Sequence, residues 1–435
     1  MASPATDRRL ADWLARQRWF ASKAEGIERV EVDDVIALDG GALQITAVTL
    51  AGGRRDRYVV ATDAGGVPTA GDLLDRPAFG RALFDLVVAP SARAGRRGRL
   101  VGWRTPACPA RLPPALPVER LGGEQSNTSL RFGDAAILKV FRRLTAGLNP
   151  EAELTGFLTV EARFAHVPAL WGVLDYVDAA GTATLAVLQA LVPDATDGWQ
   201  WMLERLRTDP GATRPALRRL GEVTAALHRA LAGGRGPALE PEPVTDRDLS
   251  AWAAAVESLL DRARSAAGPA AAWPAVPDPR PALAGLRGCV KTRHHGDLHL
   301  GQTLRRGDGD WVLIDFEGEP LRPLEERRRK HTPLRDVAGL LRSLGYAAAT
   351  GGAGPSWEAQ AREAFVSGYR AGTAGTRLAP AAEADFRRAV AVFEVEKAAY
   401  EVLYEAGHRP EWLPIPLAGL VSAAARLRAG SAGAA

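Results

Sequence analysis

Residues 291–319 read KTRHHGDLHLGQTLRRGDGDWVLIDFEGE, and this stretch constrains the chain more than any other. Three of the seven histidines, His294, His295 and His299, crowd around Gly296 and Asp297. The apolar run Trp311-Val312-Leu313-Ile314 then delivers Asp315 and Glu317 at its end. A short apolar run bounded by turn residues reads as a buried strand. A strand that ends in acids, following a His-Gly-Asp loop, brings metal-binding oxygens close to a reacting group.

The rest of the chain has to supply a scaffold for that stretch. Its 435 residues suffice for two or three domains, and 46% hydrophobic with 24% charged residues is an ordinary globular composition. The net charge of +4 comes from scattered arginines, without dense basic blocks interleaved with aromatics, so nucleic acid is not an expected partner. Two cysteines, Cys108 and Cys289, are too few for a disulfide framework or a structural zinc site. The opening residues MASPATDRRLADWLARQRWF lack a signal-peptide core, and no apolar run reaches the roughly 18 residues of a membrane span. A cytoplasmic protein, monomeric by default, is the expectation.

Periodicity divides the chain in three. Residues 8–20 pattern as an amphipathic helix, and alternating segments at 30–38, 43–50 and 57–62 predict a small antiparallel sheet. With a helical segment at 71–89 they make a first unit, 1–90. Residues 91–118, rich in Gly, Arg and Pro, read as a connection. Strands at 130–132, 136–141, 169–176 and 182–192, with a helix at 150–160, make a sheet-rich lobe, 91–195. Long Ala/Leu/Arg segments from 197 onward predict a helical lobe, 196–435, with the key stretch inserted as a hairpin.

Chemistry follows from spacing. Asp297 sits in a loop, Gln302 lies five residues on, and Asp315 ends the next strand. A loop carboxylate, an amide and a second carboxylate in that order suit phosphoryl transfer. The first accepts the proton of an acceptor hydroxyl, and the other two hold Mg²⁺ against nucleotide phosphates. In the sheet-rich lobe Lys139 stands alone in the apolar strand Ile137-Leu138-Lys139-Val140-Phe141, where an ammonium needs a partner. Glu153 on the next helix is the first candidate carboxylate, and Glu151 the second. The turn at 122–129, with Gln125, Ser126, Asn127 and Thr128, is placed to close over phosphates through its backbone N–H groups. Two other readings compete. Asp297-Leu298-His299 resembles a metallophosphoesterase metal motif, but the further motifs such an enzyme needs are missing downstream. A catalytically dead kinase-like binding protein is opposed by the intact Lys139, Asp297, Gln302 and Asp315.

The combination His295-Gly296-Asp297-Leu298-His299, Gln302 and Asp315-Phe316-Glu317 resembles the aminoglycoside phosphotransferase superfamily. EQSNTS (124–129), ILKVFRR (137–143), NPEAEL (149–154), HGDLHLGQ (295–302), LIDFEGEP (313–320), PLRDVAGLLRS (333–343), HRPEWLPIPL (408–417) and LARQRWFA (14–21) resemble its maltokinase and actinobacterial glucosamine kinase branch. The resemblance implies an α+β, bilobal, protein-kinase-like fold with an N-terminal cap subdomain, a small sheet-rich lobe and a large helical lobe. It implies ATP and Mg²⁺, with Asp297 as catalytic base, Gln302, Asp315 and Glu317 around the metal, and Lys139 on the phosphates. The adenine is expected against the link near Gln189 and Leu191. Lys330-His331-Thr332-Pro333 stands where maltokinases have Pro-Asp-Ser-Pro, which favours glucosamine over maltose as acceptor, with other aminoglycoside-type acceptors more distant. An ammonium-bearing sugar calls for carboxylates, for which Asp336, Glu394, Glu396, Glu401 and Glu405 are candidates. His299 is expected to orient the Asp297 loop and Trp412 to stack on a sugar ring. Arg335 and Asp336 are expected to pair with each other.

Overall fold

Alternating burial explains the first sheet: along Ile27–Leu38 the side chains of Val30 and Ile36 turn inward while their neighbours face water. Ile27–Leu38, Gly41–Leu50 and Arg55–Thr62 run as an antiparallel meander. The computed structural model describes residues 8–20, 22–63, 67–68, 71–113, 116–122, 126–269 and 271–432. The chain forms two compact units, 1–193 and 194–435.

In the first unit the helix Arg8–Arg16 lays Leu10, Trp13 and Leu14 beside Trp19, Phe20 and Tyr58 on one face of the meander. The other face shares a core with the second sheet of this unit: Ile36, Leu43 and Ile45 belong to one apolar cluster with Phe84, Leu130, Leu138 and Leu188. The short strand Arg143–Leu144 also joins the meander, beside Arg55–Thr62. Part of the 1–90 segment thus shares its core with the second sheet. Asp34 adds a polar staple, accepting from the N–H groups of Arg96, Arg97 and Gly98 and from the Tyr176 hydroxyl.

That second sheet has seven antiparallel strands, in the order Ala92–Ala94, Arg99–Arg104, Leu170–Asp178, Gly181–Ala190, Ala136–Phe141, Asn127–Phe132, Val118–Arg120. The 91–118 segment, expected as a connection, contributes two of them. Its Gly/Arg/Pro composition hides Arg99–Arg104, whose inward residues are only Leu100 and Gly102. Lys139 lies in an interior strand, with Ser129 opposite on one side and Val187 on the other. The helix Pro150–Val160 starts at Asn149, whose side chain accepts from the Glu151 N–H.

The second unit is mainly helical, with long helices Gly198–Thr208, Thr213–Ala232, Asp246–Ala267, Leu334–Gly351, Pro355–Thr373, Glu383–His408 and Pro414–Ala432. Ala195–Asp197, Thr303–Arg306 and Trp311–Leu313 form a small antiparallel sheet. Trp311 anchors it, fully buried, with its indole N–H on the Ala216 carbonyl at 2.8 Å. No helix among the described residues is long and apolar enough to cross a membrane.

Candidate active site

The loop carrying Asp297 is shaped by Asp336, at the start of the Leu334–Gly351 helix. One Asp336 oxygen accepts from the His295 N–H at 2.8 Å, the other from the Gly296 N–H at 2.9 Å. His228 adds its Nε2 to the first oxygen at 3.0 Å, and its Nδ1 meets the Tyr369 hydroxyl at 3.0 Å. Burial alone would push the Asp336 carboxyl up, but the hydrogen bond from His228 leads the influences that outweigh it and hold it below the usual carboxylate range. Gly296 has φ +87°, a left-handed conformation that costs a side-chain-bearing residue energy. Gly339 lets the helix reach the loop, since a Cβ there would stand 2.5 Å from the Leu298 carbonyl oxygen.

The histidines support this loop. The His295 Nε2 faces the Ile314 carbonyl at 2.9 Å, so it carries the proton, and its Nδ1 accepts from the Asp297 N–H at 3.4 Å. The His299 Nδ1 accepts from the Gly301 N–H at 3.1 Å and caps the turn Leu300–Gln302. Burial pushes His294 down to about 3, so it is neutral at physiological pH.

The two expected metal-binding residues meet through a hairpin. The Ile314 N–H donates to the Gln302 carbonyl at 3.0 Å, and the Gln302 amide reaches Asp315 at 2.9 Å. Asp315 has φ +66°, a left-handed conformation rare for a residue with a side chain. Among the described residues no group of three or more His, Cys, Asp or Glu is arranged to hold a metal alone. A carboxylate beside an amide oxygen nonetheless fits Mg²⁺, which takes most of its oxygens from phosphates and water. Glu317 follows two residues later, half-buried, its carbonyl accepting from Arg327.

Next to Asp297 lies a pocket that sequence reading missed. Asp297, Glu319, Arg322, Arg335, Glu396 and Lys397 all line it. The Lys397 ammonium contacts Asp297 at 2.8 Å and Glu319 at 2.7 Å. Glu319 is also paired with Arg322 and, at 3.6 Å, with Arg335, and both guanidiniums hold Glu396. The expected Arg335–Asp336 pair is corrected by this arrangement. Consecutive helix residues point in different directions, so Arg335 faces Glu319 and Glu396 while Asp336 faces the loop. Lys397 carried only a faint signal: it is the one cation in Ala389–Ala399, but Glu394 and Glu396 stand beside it, whereas Lys139 is alone in its strand.

The other expected sugar contacts are engaged elsewhere. Glu394 pairs with Arg362 and Arg426, and Glu401 with Arg342 at 2.7 Å. Glu405 holds Arg409 and the Tyr346 hydroxyl, while Trp412 stacks on Tyr346 and receives Arg409 over its ring. None of Glu394, Glu401, Glu405 and Trp412 lines the Asp297 pocket, and each of the three acids is held by an arginine. Of the residues expected at the acceptor, Asp297, Asp336 and Glu396 do line it. The Lys330–Pro333 segment braces the loop: His331 pairs with Thr292 through the backbone and its ring stacks on Trp252 at 4.1 Å, and Lys330 binds Glu242 and the Pro237 carbonyl.

In the first unit Lys139 is buried, and its ammonium lies 3.6 Å from Glu151. Gln189, expected near the adenine, donates its side-chain amide to Glu151 at 2.8 Å. Glu153 lies half-buried on the same first helical turn. The Leu191 N–H is bonded to the Ala135 carbonyl at 2.9 Å, which takes that donor away from a base. Thr128 points inward, its hydroxyl accepting from buried Arg142, which also pairs with Asp72. That orientation removes the Thr128 hydroxyl from the expected phosphate contacts. Ser126 is exposed and Asn127 half-buried, and Gln125 lies outside the described residues.

Residues 117–381 match the phosphotransferase enzyme family, a span holding Lys139, Asp297, Gln302 and Asp315. The chain belongs to that family. This phosphotransferase also matches the maltokinase N-terminal cap domain over residues 13–78. Its sequence is 31% identical over 320 residues to a glucosamine kinase of Streptacidiphilus jiangxiensis, covering 67% of this chain and 70% of that one. A glucosamine kinase of Mycolicibacterium smegmatis is 32% identical over 323 residues, covering 68% and 77%. In fold, the phosphotransferase is similar to a glucosamine kinase solved in complex with glucosamine, ADP and inorganic phosphate, with TM-score 0.64 and 24% identity over 97% of this chain and 99% of that one. The α+β kinase-like fold with its cap, expected from the motifs, is thereby established.

Proposed function

We propose that this phosphotransferase is an ATP-dependent sugar kinase that converts glucosamine and ATP to glucosamine 6-phosphate and ADP. The observation that carries the chemistry is the Asp297 carboxylate, held between a braced loop and Lys397. The acceptor is supported by the two glucosamine kinases that are 31% and 32% identical to the chain.

In this reading Asp297 receives the proton of the carbon-6 hydroxyl as that oxygen attacks the γ-phosphorus. Asp336 and His295 keep the Asp297 backbone fixed, so little reorganisation accompanies the reaction. Gln302 and Asp315, with Glu317 beside them, would hold Mg²⁺, which when bound neutralises charge on the nucleotide phosphates. Within the first unit Lys139, its position set by Glu151, is the cation suited to nucleotide phosphates, with Glu153, Ser126 and Asn127 in that same unit. A cytoplasmic setting suits ATP as donor and two buried, unpaired cysteines.

The cap match at 13–78 favours a second reading, in which maltose is the acceptor and maltose 1-phosphate the product. Initial rates of ADP release with each sugar separate the two. Glucosamine is expected to give a kcat/KM at least about tenfold higher than maltose, a margin that a few polar contacts supply. A preference for maltose would overturn the acceptor assignment, and release with neither sugar would overturn both.

A further inference from the structure

Asp297 has one side-chain partner among the described residues, the ammonium of Lys397, which binds Oδ1 at 2.8 Å. No hydrogen bond from a described residue falls on Oδ2. Glu319, the other carboxylate on Lys397, already has two guanidiniums, Arg322 and Arg335. Charge balance at Glu319 therefore does not call for the lysine, whereas Asp297 has no other cation among the described residues. Lys397 is itself firmly mounted. Arg322 and Arg335 tie Glu319 to Glu396, one residue before Lys397 on the Glu383–His408 helix, and the ammonium lies 4.8 Å from the centre of the Tyr400 ring. Burial would pull the Lys397 ammonium down, but Asp297 and Glu319 outweigh it and hold it well above the usual lysine range.

We infer that Lys397 is the positioning residue for Asp297, fixing Oδ1 so that Oδ2 is presented to the acceptor hydroxyl. The inference rests on the reading of Asp297 as the base. The step balances with Lys397 protonated throughout. The sugar oxygen forms its bond to the γ-phosphorus, the bond from that phosphorus to the bridging oxygen breaks with its electrons leaving on ADP, and the hydroxyl proton passes to Oδ2. A lysine that held Oδ1 only for stability would leave turnover per folded molecule unchanged, since a buried ion pair is weak evidence of stability in any case.

The test uses the full chain with Lys397→Met/Glu319→Gln, which removes the ammonium and its second counter-charge together, beside Lys397→Arg and Asp297→Asn. The double variant is expected to fold, to lose about 100-fold in kcat, and to keep its KM for ATP within about twofold, the pattern of an interaction made in the transition state. Lys397→Arg keeps the charge but not the geometry, so its kcat is expected to fall about tenfold with the same KM for ATP. Should the double variant not fold, Lys397→Arg decides alone, and wild-type kcat in it would overturn the proposal. Wild-type kcat in a folded double variant, with Asp297→Asn inactive, would overturn the role of Lys397 and leave the base intact. Wild-type kcat in Asp297→Asn would overturn the base and this role with it.

Discussion

Asp297→Asn is expected to lower kcat by about 10²- to 10⁴-fold, the usual contribution of a positioned general base. The substitution is nearly isosteric. An asparagine oxygen still accepts from Lys397, whose ammonium stands 2.8 Å from Oδ1, and the residue 297 N–H still reaches His295. Geometry is therefore kept while the proton acceptor is lost. KM for ATP is expected to stay within about threefold, because the interaction removed is made only as the hydroxyl gives up its proton. Single-turnover rates of ADP formation with glucosamine are the appropriate readout, since they exclude product release. An unchanged rate would show that Asp297 is not the base.

Asp336→Ala carries the largest expected loss of stability. It strips the acceptor from two backbone N–H groups, those of His295 and Gly296, and from His228, all at 2.8–3.0 Å. Each buried group left without a partner costs about 1–3 kcal/mol, so a total of about 3–5 kcal/mol is expected after relaxation. That corresponds to a fall of roughly 10 °C in the melting midpoint of a unit this size. The pH dependence has a definite sign. The folded Asp336 carboxyl lies below its ordinary value. Its stabilisation is fully present above the unfolded carboxylate value of about 3.9 and is lost as pH falls through the folded one. The gap between wild type and variant should be constant near neutrality and narrow only in strong acid. Equal melting midpoints at pH 7 would show that the loop does not depend on this carboxylate.

What was legible in the sequence was local. Gln302 and Asp315 are brought together by one short hairpin, so their spacing carried the geometry. Lys139 was legible because a lone cation in an apolar strand demands an explanation. Lys397, with Glu394 and Glu396 beside it in sequence, lacks that cue and meets Asp297 from 100 residues away, and no spacing rule spans that distance. The acids of the Glu383–His408 helix look available in sequence, yet Arg362, Arg426, Arg342 and Arg409 approach from other turns and helices and engage Glu394, Glu401 and Glu405. The strand Arg99–Arg104 escaped for a different reason. With two inward residues its alternation is too short to stand out from the Gly, Arg and Pro around it, and its pairing with Leu170–Asp178 is what defines it. The braced loop shows the same limit, because Asp336 and Arg335 are neighbours in sequence whose partners are set by helix geometry.

Phosphorus NMR of a reaction with the purified chain, Mg²⁺, ATP and glucosamine follows the proposed phosphoryl transfer from ATP to glucosamine directly. The γ-phosphate resonance of ATP is expected to disappear as one phosphomonoester resonance grows, coupled to the carbon-6 protons of the sugar, and only when glucosamine is present. Release of inorganic phosphate alone, or a phosphate on any other position, would contradict it.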